Sequence, residues 1–303
     1  MPKDQIDQLK NPFTMDLNRR QFVTSSLAAG ILLPTAMALA GNATAGSHKA
    51  GGKLRAGMGH GPTTDSLDPG TYENGMNQNL CFAFCNHLTE VSNKGELIPE
   101  LASEYSPSAD AKTWTFKIRQ GVTFHDGKAL TPADVVASFR FHMGEDSKSA
   151  GKALLADVTD ISINGNDVVF TLANASADFA FIVSDYHFPI LPERDGQLAW
   201  DAKVGTGAYI IDSYEPGVRA KLYRNPNYWK QDAAHFDEVE FLVILDVTAR
   251  QNAIMNGDVD LIGRADPKTV HLLGRNPNVE VLETTGTLHY TFPMRCDASP
   301  FDN

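Results

Sequence analysis

Residues 113–139 are TWTFKIRQGVTFHDGKALTPADVVASF, and this stretch carries most of the information about the fold. Its first residues alternate between apolar and polar, which places Trp114, Phe116 and Ile118 on one face of a half-buried strand. The Asp-Gly pair at 126–127 favours the positive backbone angles of a tight turn. The stretch therefore begins as a strand that ends at a turn.

The second half of the same stretch predicts a helix over residues 132–143. Thr131 suits the N-cap, and Pro132 suits the first helical position because its missing N–H is not needed there. Asp134 adds negative charge where the helix dipole is positive. Downstream, Asn164-Gly165-Asn166 lies between two apolar segments and predicts a β-hairpin.

The segments on either side of this region have an α/β pattern. We expect strands at 53–58, 239–245 and 259–262 and helices at 77–88 and 248–255. Strands that alternate with helices indicate parallel pairing. The sequence thus predicts a first α/β lobe from residues 46–88 and 200–290, and a second lobe of hairpins and a helix from residues 89–199.

The amino-terminal segment NRRQFVTSSLAAGILLPTAMALA, residues 18–40, predicts export. Its apolar run is interrupted by Ser, Thr, Gly and Pro and falls short of the ~20 apolar residues that a membrane-spanning helix needs. A basic region, a modest apolar region and small residues form the pattern of a removable signal peptide over residues 1–45. Asn18 to Val23 resembles the twin-arginine motif, which a receptor recognises. The alternative is an ordinary Sec signal that contains two arginines.

Composition excludes several classes of protein. The net charge of −11 comes without an acidic block and argues against a nucleic-acid partner. Without the signal peptide about 260 residues are left, enough for one large domain or two smaller ones. Three cysteines are too few for a disulfide scaffold, and Cys81 and Cys85 are predicted to be packed thiols rather than metal ligands.

Candidate catalytic motifs are weak. Neighbouring side chains such as His125 and Asp126 point apart, so a structural turn is favoured over a catalytic pair. The segment 184–187, Ser-Asp-Tyr-His, lacks the Gly-x-Ser-x-Gly elbow of hydrolases. The nine histidines show no zinc-site spacing, and Gly205-x-Gly207 is too short for a dinucleotide fingerprint. We therefore predict neither a cofactor nor a catalytic site.

Three stretches together resemble a known family. They are residues 113–139, the pair GTGAYII (205–211) and YRNPNYW (223–229), and ARQNAIMNGDVDLI (249–262). In this order they are similar to the extracellular solute-binding proteins of peptide, nickel and opine ABC transporters, family 5. The chain departs from the family at Ala208, where proline is usual.

The resemblance implies an α/β, two-lobed, periplasmic-binding-protein-like fold of type II. Family members are longer, and the segment 294–302 resembles the point where their chain enters the last large lobe. We therefore expect residues 291–303 to begin a third lobe that is largely missing, as in a fragment or an interrupted gene.

The resemblance also implies a function. We expect the periplasmic substrate-binding component of an ABC importer, a monomer that captures a small solute such as a peptide and delivers it to a permease in the inner membrane. It implies no enzymatic activity. The alternatives are a secreted α/β hydrolase or metal-dependent enzyme, and an inactive truncated remnant.

Two segments are candidate ligand contacts. The first follows the first strand and combines apolar and polar side chains, as the wall of a cleft requires; the alternative is a solvated loop. The second lies late in the second lobe, near where the chain should recross the hinge. The predicted ligand-binding residues are Tyr72, Met76, Asn77, Gln78, Asp185, Tyr186 and His187.

Overall fold

The computed structural model describes residues 50–283 and 294–301. The elements given below lie in one compact unit that begins at Lys53. The predicted signal peptide lies outside the described residues, as does part of the predicted start of a third lobe. In the described ranges no helix is both long enough and apolar enough to cross a membrane.

The helices and strands are numbered along the described residues. The helices are α1 (Gly75–Phe84), α2 (Pro132–Met143), α3 (Phe179–Ile182), α4 (Val247–Asn256) and α5 (Val270–Leu273). The strands are β1 (Lys53–Met58), β2 (Thr89–Val91), β3 (Leu97–Pro99), β4 (Ala102–Pro107), β5 (Thr113–Ile118), β6 (Val158–Asn164), β7 (Asp167–Leu172), β8 (Glu193–Arg194), β9 (Gln197–Leu198), β10 (Tyr209–Glu215), β11 (Arg219–Arg224), β12 (Glu238–Val243) and β13 (Leu261–Ile262).

A five-stranded mixed sheet has the order β10-β11-β12-β1-β13. Strand β1 runs parallel to both β12 and β13, while β10, β11 and β12 are antiparallel neighbours. This confirms the predicted parallel pairs. Side chains of the sheet and of α1 form one buried cluster, which includes Ala56, Met76, Leu80, Phe84, Leu222, Val239 and Phe241.

A four-stranded antiparallel sheet has the order β4-β5-β7-β6. The predicted alternation in β5 is confirmed, because Trp114, Phe116 and Ile118 are all buried. Helix α2 covers this sheet, with the Phe139 ring 4.9 Å from the Phe170 ring. These side chains belong to a second buried cluster, whose members lie between Leu88 and Ile190 in the sequence.

The bounds that the sequence predicts for the two lobes, 46–88 with 200–290 and 89–199, stay a proposal.

Helix α2 begins as its sequence predicts. Asp134 is fully buried, and its Oδ2 accepts a hydrogen bond from the Thr131 backbone N–H at 2.8 Å. Its Oδ1 accepts one from the Glu193 N–H at 2.7 Å and pairs with the Lys128 ammonium. One carboxylate therefore ties the start of the helix to the preceding turn and to the β8–β9 hairpin.

The predicted bounds of α1, residues 77–88, are wrong. The helix begins two residues earlier because the Asn74 side chain caps it, accepting hydrogen bonds from the Met76 and Asn77 N–H groups. It ends at Phe84 because the carbonyl oxygen of Phe84 accepts a hydrogen bond from Gly207, 2.9 Å away. That partner is distant in sequence, so the local pattern gave no sign of it.

Residues 205–207 cross the end of α1 at very close range. A Cβ atom added to Gly205 would lie 2.0 Å from the Phe84 carbonyl oxygen, and one added to Gly207 would lie 2.4 Å from the Phe84 carbonyl carbon. Real side chains are never that close to a backbone atom. The two glycines are therefore required for the close approach of the backbones.

His125 joins the turn after β5 to residues 205–207 by hydrogen bonds. Its Nδ1 accepts a hydrogen bond from the Gly205 N–H at 3.3 Å, and its Nε2 lies 3.1 Å from the Gly207 carbonyl oxygen. These contacts fit the neutral imidazole with its proton on Nε2. Burial lowers the pKa of His125 below its ordinary value. Its neighbour Asp126 instead pairs with Arg194.

We expect the His125→Ala variant to be about 1–2 kcal/mol less stable than the wild type at pH 7.5, since it loses two partly buried hydrogen bonds. Because the folded pKa is lowered, the stabilisation is fully present above the unfolded pKa of about 6.5 and is lost as the pH falls below it. The difference between the two proteins should therefore shrink between pH 7.5 and pH 5.5, as measured by urea unfolding. A difference that grows on acidification would contradict this account.

Candidate functional site

A cleft of about 690 Å³ opens beside the end of α1. Its volume lies within the ~300–1,000 Å³ that is typical of small-ligand sites. Large exposed apolar side chains lie along it, and polar side chains line it as well. The apolar group is Phe82, Val91, Leu154 and Phe181, and the polar group includes Asn86, His87, Glu90, Glu100, Asp185, Tyr228 and Lys230.

Glu100 organises the floor of this cleft. Its carboxylate accepts hydrogen bonds from the Asn86 side chain at 2.6 Å, the His87 backbone N–H at 2.7 Å and the Lys230 ammonium at 2.5 Å. Lys230 also contacts Glu90 at 2.5 Å. Burial alone would lower the pKa of Lys230, but the neighbouring carboxylates outweigh it and raise that pKa, so the lysine is charged.

The Asn-Pro turn after β11 brings Tyr228 and Lys230 to the cleft. The Asn225 side chain accepts a hydrogen bond from the Asn227 N–H and donates one to the Gly207 carbonyl oxygen. The Trp229 indole N–H donates to the Asn86 side chain at 3.1 Å, and the Arg119 guanidinium lies 4.7 Å from the Trp229 ring. The motifs GTGAYII and YRNPNYW therefore meet at the base of the cleft.

Two of the three predicted residues late in the second lobe line the cleft. Asp185 and Tyr186 face it, whereas His187 lies behind them with its ring 4.2 Å from the Tyr186 ring. The Asp185 Oδ1 atom lies 2.6 Å from His187 Nδ1 and also accepts the His187 backbone N–H. Burial would raise the pKa of Asp185, but these hydrogen bonds outweigh it and lower that pKa. Asp185 is thus ionised at neutral pH.

The four predicted residues after β1 have a different environment. Tyr72, Met76 and Asn77 are 1–2% exposed. The Tyr72 hydroxyl donates to the Leu67 carbonyl oxygen, and the Asn77 amide donates to the Ser66 carbonyl oxygen. These three side chains are packed in the structure and offer a ligand almost no surface, so the ligand role predicted for them stays a prediction.

Gln78 is the one residue of this group that lies near the cleft. It is half-buried, and its side chain lies close enough to the Tyr186 phenol to favour the ionised form of that phenol. Burial dominates at that phenol and raises the pKa of Tyr186, which keeps it neutral. Gln78 can therefore position Tyr186.

Sequence analysis missed most of the residues that line the cleft. Glu90 and Glu100 lie in short, polar segments around β2 and β3 that carry no recognisable motif. Tyr228 stood in a quoted motif, but nothing in the sequence linked it to Asn86, which is 142 positions away. Short exposed strands and long-range pairs leave little local pattern.

Across residues 50–283 and 294–301, no group of three or more His, Cys, Asp and Glu side chains could hold a metal ion. Cys81 and Cys85 are free and buried, which confirms the prediction of packed thiols. The Cys81 sulfur lies 4.0 Å from His87 Nε2, but both residues are buried, so a substrate could not reach the pair.

Solved periplasmic binding proteins have the same fold. AgaA from A. tumefaciens R10, in complex with agropinic acid, aligns with a TM-score of 0.68 and 28% identity over 75% of this chain and 46% of that one. DppA from Helicobacter pylori, in complex with the peptide STSA, aligns with a TM-score of 0.68 and 22% identity over 76% of this chain and 50% of that one. The predicted fold class is confirmed: this chain has part of the two-lobed α/β fold of periplasmic binding proteins.

The chain belongs to the bacterial extracellular solute-binding proteins of family 5, whose middle-region sequence model matches residues 96–303. The resemblance predicted from three motifs is therefore confirmed. A similar protein is the di/tripeptide-binding protein 1 of Pseudomonas aeruginosa, 23% identical over 265 residues, which are 78% of this chain and 49% of that protein. The chain spans about half the length of the curated relatives it matches.

Proposed function

We propose that this chain is the substrate-binding component of an ABC importer, that it captures a small peptide-like solute, and that it delivers the solute to a permease in the inner membrane. The observation that carries the proposal is the cleft of about 690 Å³, with its apolar rim and hydrogen-bonded floor, in a member of this family. Binding by such a protein requires neither catalysis nor a cofactor.

The arrangement of the cleft supports this role. Phe82 and Phe181 are about half exposed, so a ligand that covers them would remove apolar surface from water. The Asp185 carboxylate and the Tyr186 phenol supply hydrogen-bonding groups near them. Of the seven residues predicted from the sequence, the proposal uses Asp185 and Tyr186 as direct contacts and Gln78 as support for Tyr186.

The proposal is tested by calorimetry with the full chain and a panel of di- and tripeptides. The Phe181→Ala variant should bind about 5-fold more weakly or worse, since the truncation removes roughly 1 kcal/mol or more of apolar contact. Tyr223→Ala is the matched control, because both aromatic residues are 45% exposed and only Phe181 lines the cleft. Equal affinities in the two variants, or no binding of any peptide, would contradict the proposal.

A second experiment distinguishes a binding protein from the alternative, a secreted hydrolase. Peptides and simple esters incubated with the protein should be recovered intact by mass spectrometry. Time-dependent release of cleavage products, abolished by substitution of a residue in the cleft, would favour the enzyme instead.

We infer that residues 1–45 export the protein to the periplasm by the twin-arginine route and that it acts there as a monomer. Replacing Arg19 and Arg20 together with Lys should leave unprocessed precursor in the cytoplasm, since a receptor recognises the arginine pair. Replacing Lys3 and Lys10 with Arg is the control, as it keeps the charge and the pair. Immunoblots of cell fractions measure both; normal processing of the Arg19/Arg20 variant would indicate the Sec route.

A further inference from the structure

We propose that the cleft selects peptide ligands that carry a basic side chain next to an apolar one. The inference rests on the proposed function, namely that this cleft is a ligand site, and it adds the chemical class of the ligand. It is drawn from the charges that line the cleft and from their exposure.

Two carboxylates are accessible at the cleft. The Glu90 side chain is 42% exposed and the Asp185 side chain is 29% exposed. Asp185 is ionised, as described above, and Glu90 keeps part of its surface free even though it contacts Lys230. An incoming ammonium or guanidinium group could therefore reach either acid.

The basic side chains that line the cleft already have partners within the protein. Lys230 is held by Glu90 and by Glu100, each at 2.5 Å, and its side chain is 24% exposed. His87 is almost completely buried, and its Nε2 faces the Cys81 sulfur. An anionic ligand group would thus meet three carboxylates and one ammonium that already has two partners, and the like charges would repel it.

The apolar rim favours the same class of ligand. The faces of Phe82 and Phe181 can attract a cation as well as pack against an aliphatic chain. Leu154 and Val91 extend the apolar surface on the same cleft. A basic group beside an apolar one would satisfy both parts of the lining, whereas an acidic group would satisfy neither.

The test uses calorimetry on the full chain at about 20 mM salt with the dipeptides Lys-Leu, Leu-Leu and Glu-Leu. Lys-Leu should bind at least 10-fold more tightly than Glu-Leu. The preference should shrink at about 500 mM salt, because partly exposed charges are then screened. In the Glu90→Gln variant the ratio of the Lys-Leu affinity to the Glu-Leu affinity should fall about 3-fold or more.

Glu104→Gln is the matched control, since Glu104 is also an exposed strand glutamate paired with a lysine, Lys117, and it does not line the cleft. Its ratio should equal that of the wild type. Asp185→Asn is the second variant, with its fold checked by circular dichroism. An unchanged ratio in the Glu90→Gln variant together with an unchanged ratio in a folded Asp185→Asn variant would overturn the inference.

The outcomes separate this inference from the function on which it rests. Tighter binding of Glu-Leu, or equal binding of all three dipeptides, would overturn the charge preference and leave a peptide-binding role standing. Failure of all three to bind would contradict the proposed function, and the inference with it.

Discussion

The Gly205→Ala variant should lose about 4 kcal/mol of unfolding free energy or fail to accumulate as folded protein. The added Cβ would lie 2.0 Å from the Phe84 carbonyl oxygen, which is a backbone atom and cannot rotate away. Relief would require the end of α1 and the segment 205–207 to move apart, which breaks the Gly207–Phe84 hydrogen bond. Losses of this size are exceptional for one methyl group and point to a severe clash.

Urea unfolding followed by circular dichroism measures the effect. Gly75→Ala is the control, because it lies at the start of α1 and its added Cβ would meet no atom within 4 Å. That variant should be as stable as the wild type or slightly more so, since Ala is the better helix former. If Gly205→Ala lost less than about 1 kcal/mol of unfolding free energy, the two backbone segments would move apart at less cost than their geometry implies.

The Asp134→Ala variant should lose about 3 kcal/mol of unfolding free energy. The side chain is fully buried and accepts hydrogen bonds from the backbone N–H groups of Thr131 and Glu193. Its removal leaves those donors unpaired and leaves the Lys128 ammonium without its buried partner. Breaking one side of a buried ion pair typically costs about 3–5 kcal/mol, and Lys128 is a third exposed, which places the expected loss at the low end.

Asp178→Ala is the control for this change. Asp178 also lies at the start of a short helix, α3, but it is exposed and its side chain makes no capping hydrogen bond. Its replacement should change the unfolding free energy by less than about 0.5 kcal/mol. Similar losses in the two variants, measured by the same urea unfolding, would mean that the network around Asp134 contributes little.

The sequence predicted best those elements whose bounds depend on neighbouring residues. Helix α2 has the predicted bounds, Pro132–Met143, because its cap, its first-turn proline and its first-turn acid all lie within four residues. The β6–β7 hairpin follows from the Asn164-Gly165-Asn166 turn in the same way. Strand β4 was missed because its sequence, ASEYSP, is largely polar and three of its six residues are exposed.

The candidate site was predicted only in part. Asp185 and Tyr186 were predicted from their position late in the second lobe, and both line the cleft, while their role as ligand contacts stays a prediction. Glu90, Glu100 and Lys230 were not found, because the ion pairs that join them span 130 to 140 positions of the chain. Tyr72 and Met76 have apolar side chains of the kind that line ligand clefts. Such side chains also suit a protein core, and in the structure both pack in the buried cluster of the five-stranded sheet.

By itself, the sequence predicted local elements such as α2 and the β6–β7 hairpin, since strand alternation, helix caps and turn pairs act over a few residues. The class of fold and the family followed from the resemblance of three motifs to a known family. Tertiary structure alone decided where α1 ends, why Gly205 and Gly207 are glycines, and which charges share the cleft. Each of these depends on segments that are distant along the chain and meet only once both buried clusters have formed. Neither a backbone approach nor a long-range ion pair leaves a periodic pattern in the sequence, so only the packed structure specifies them.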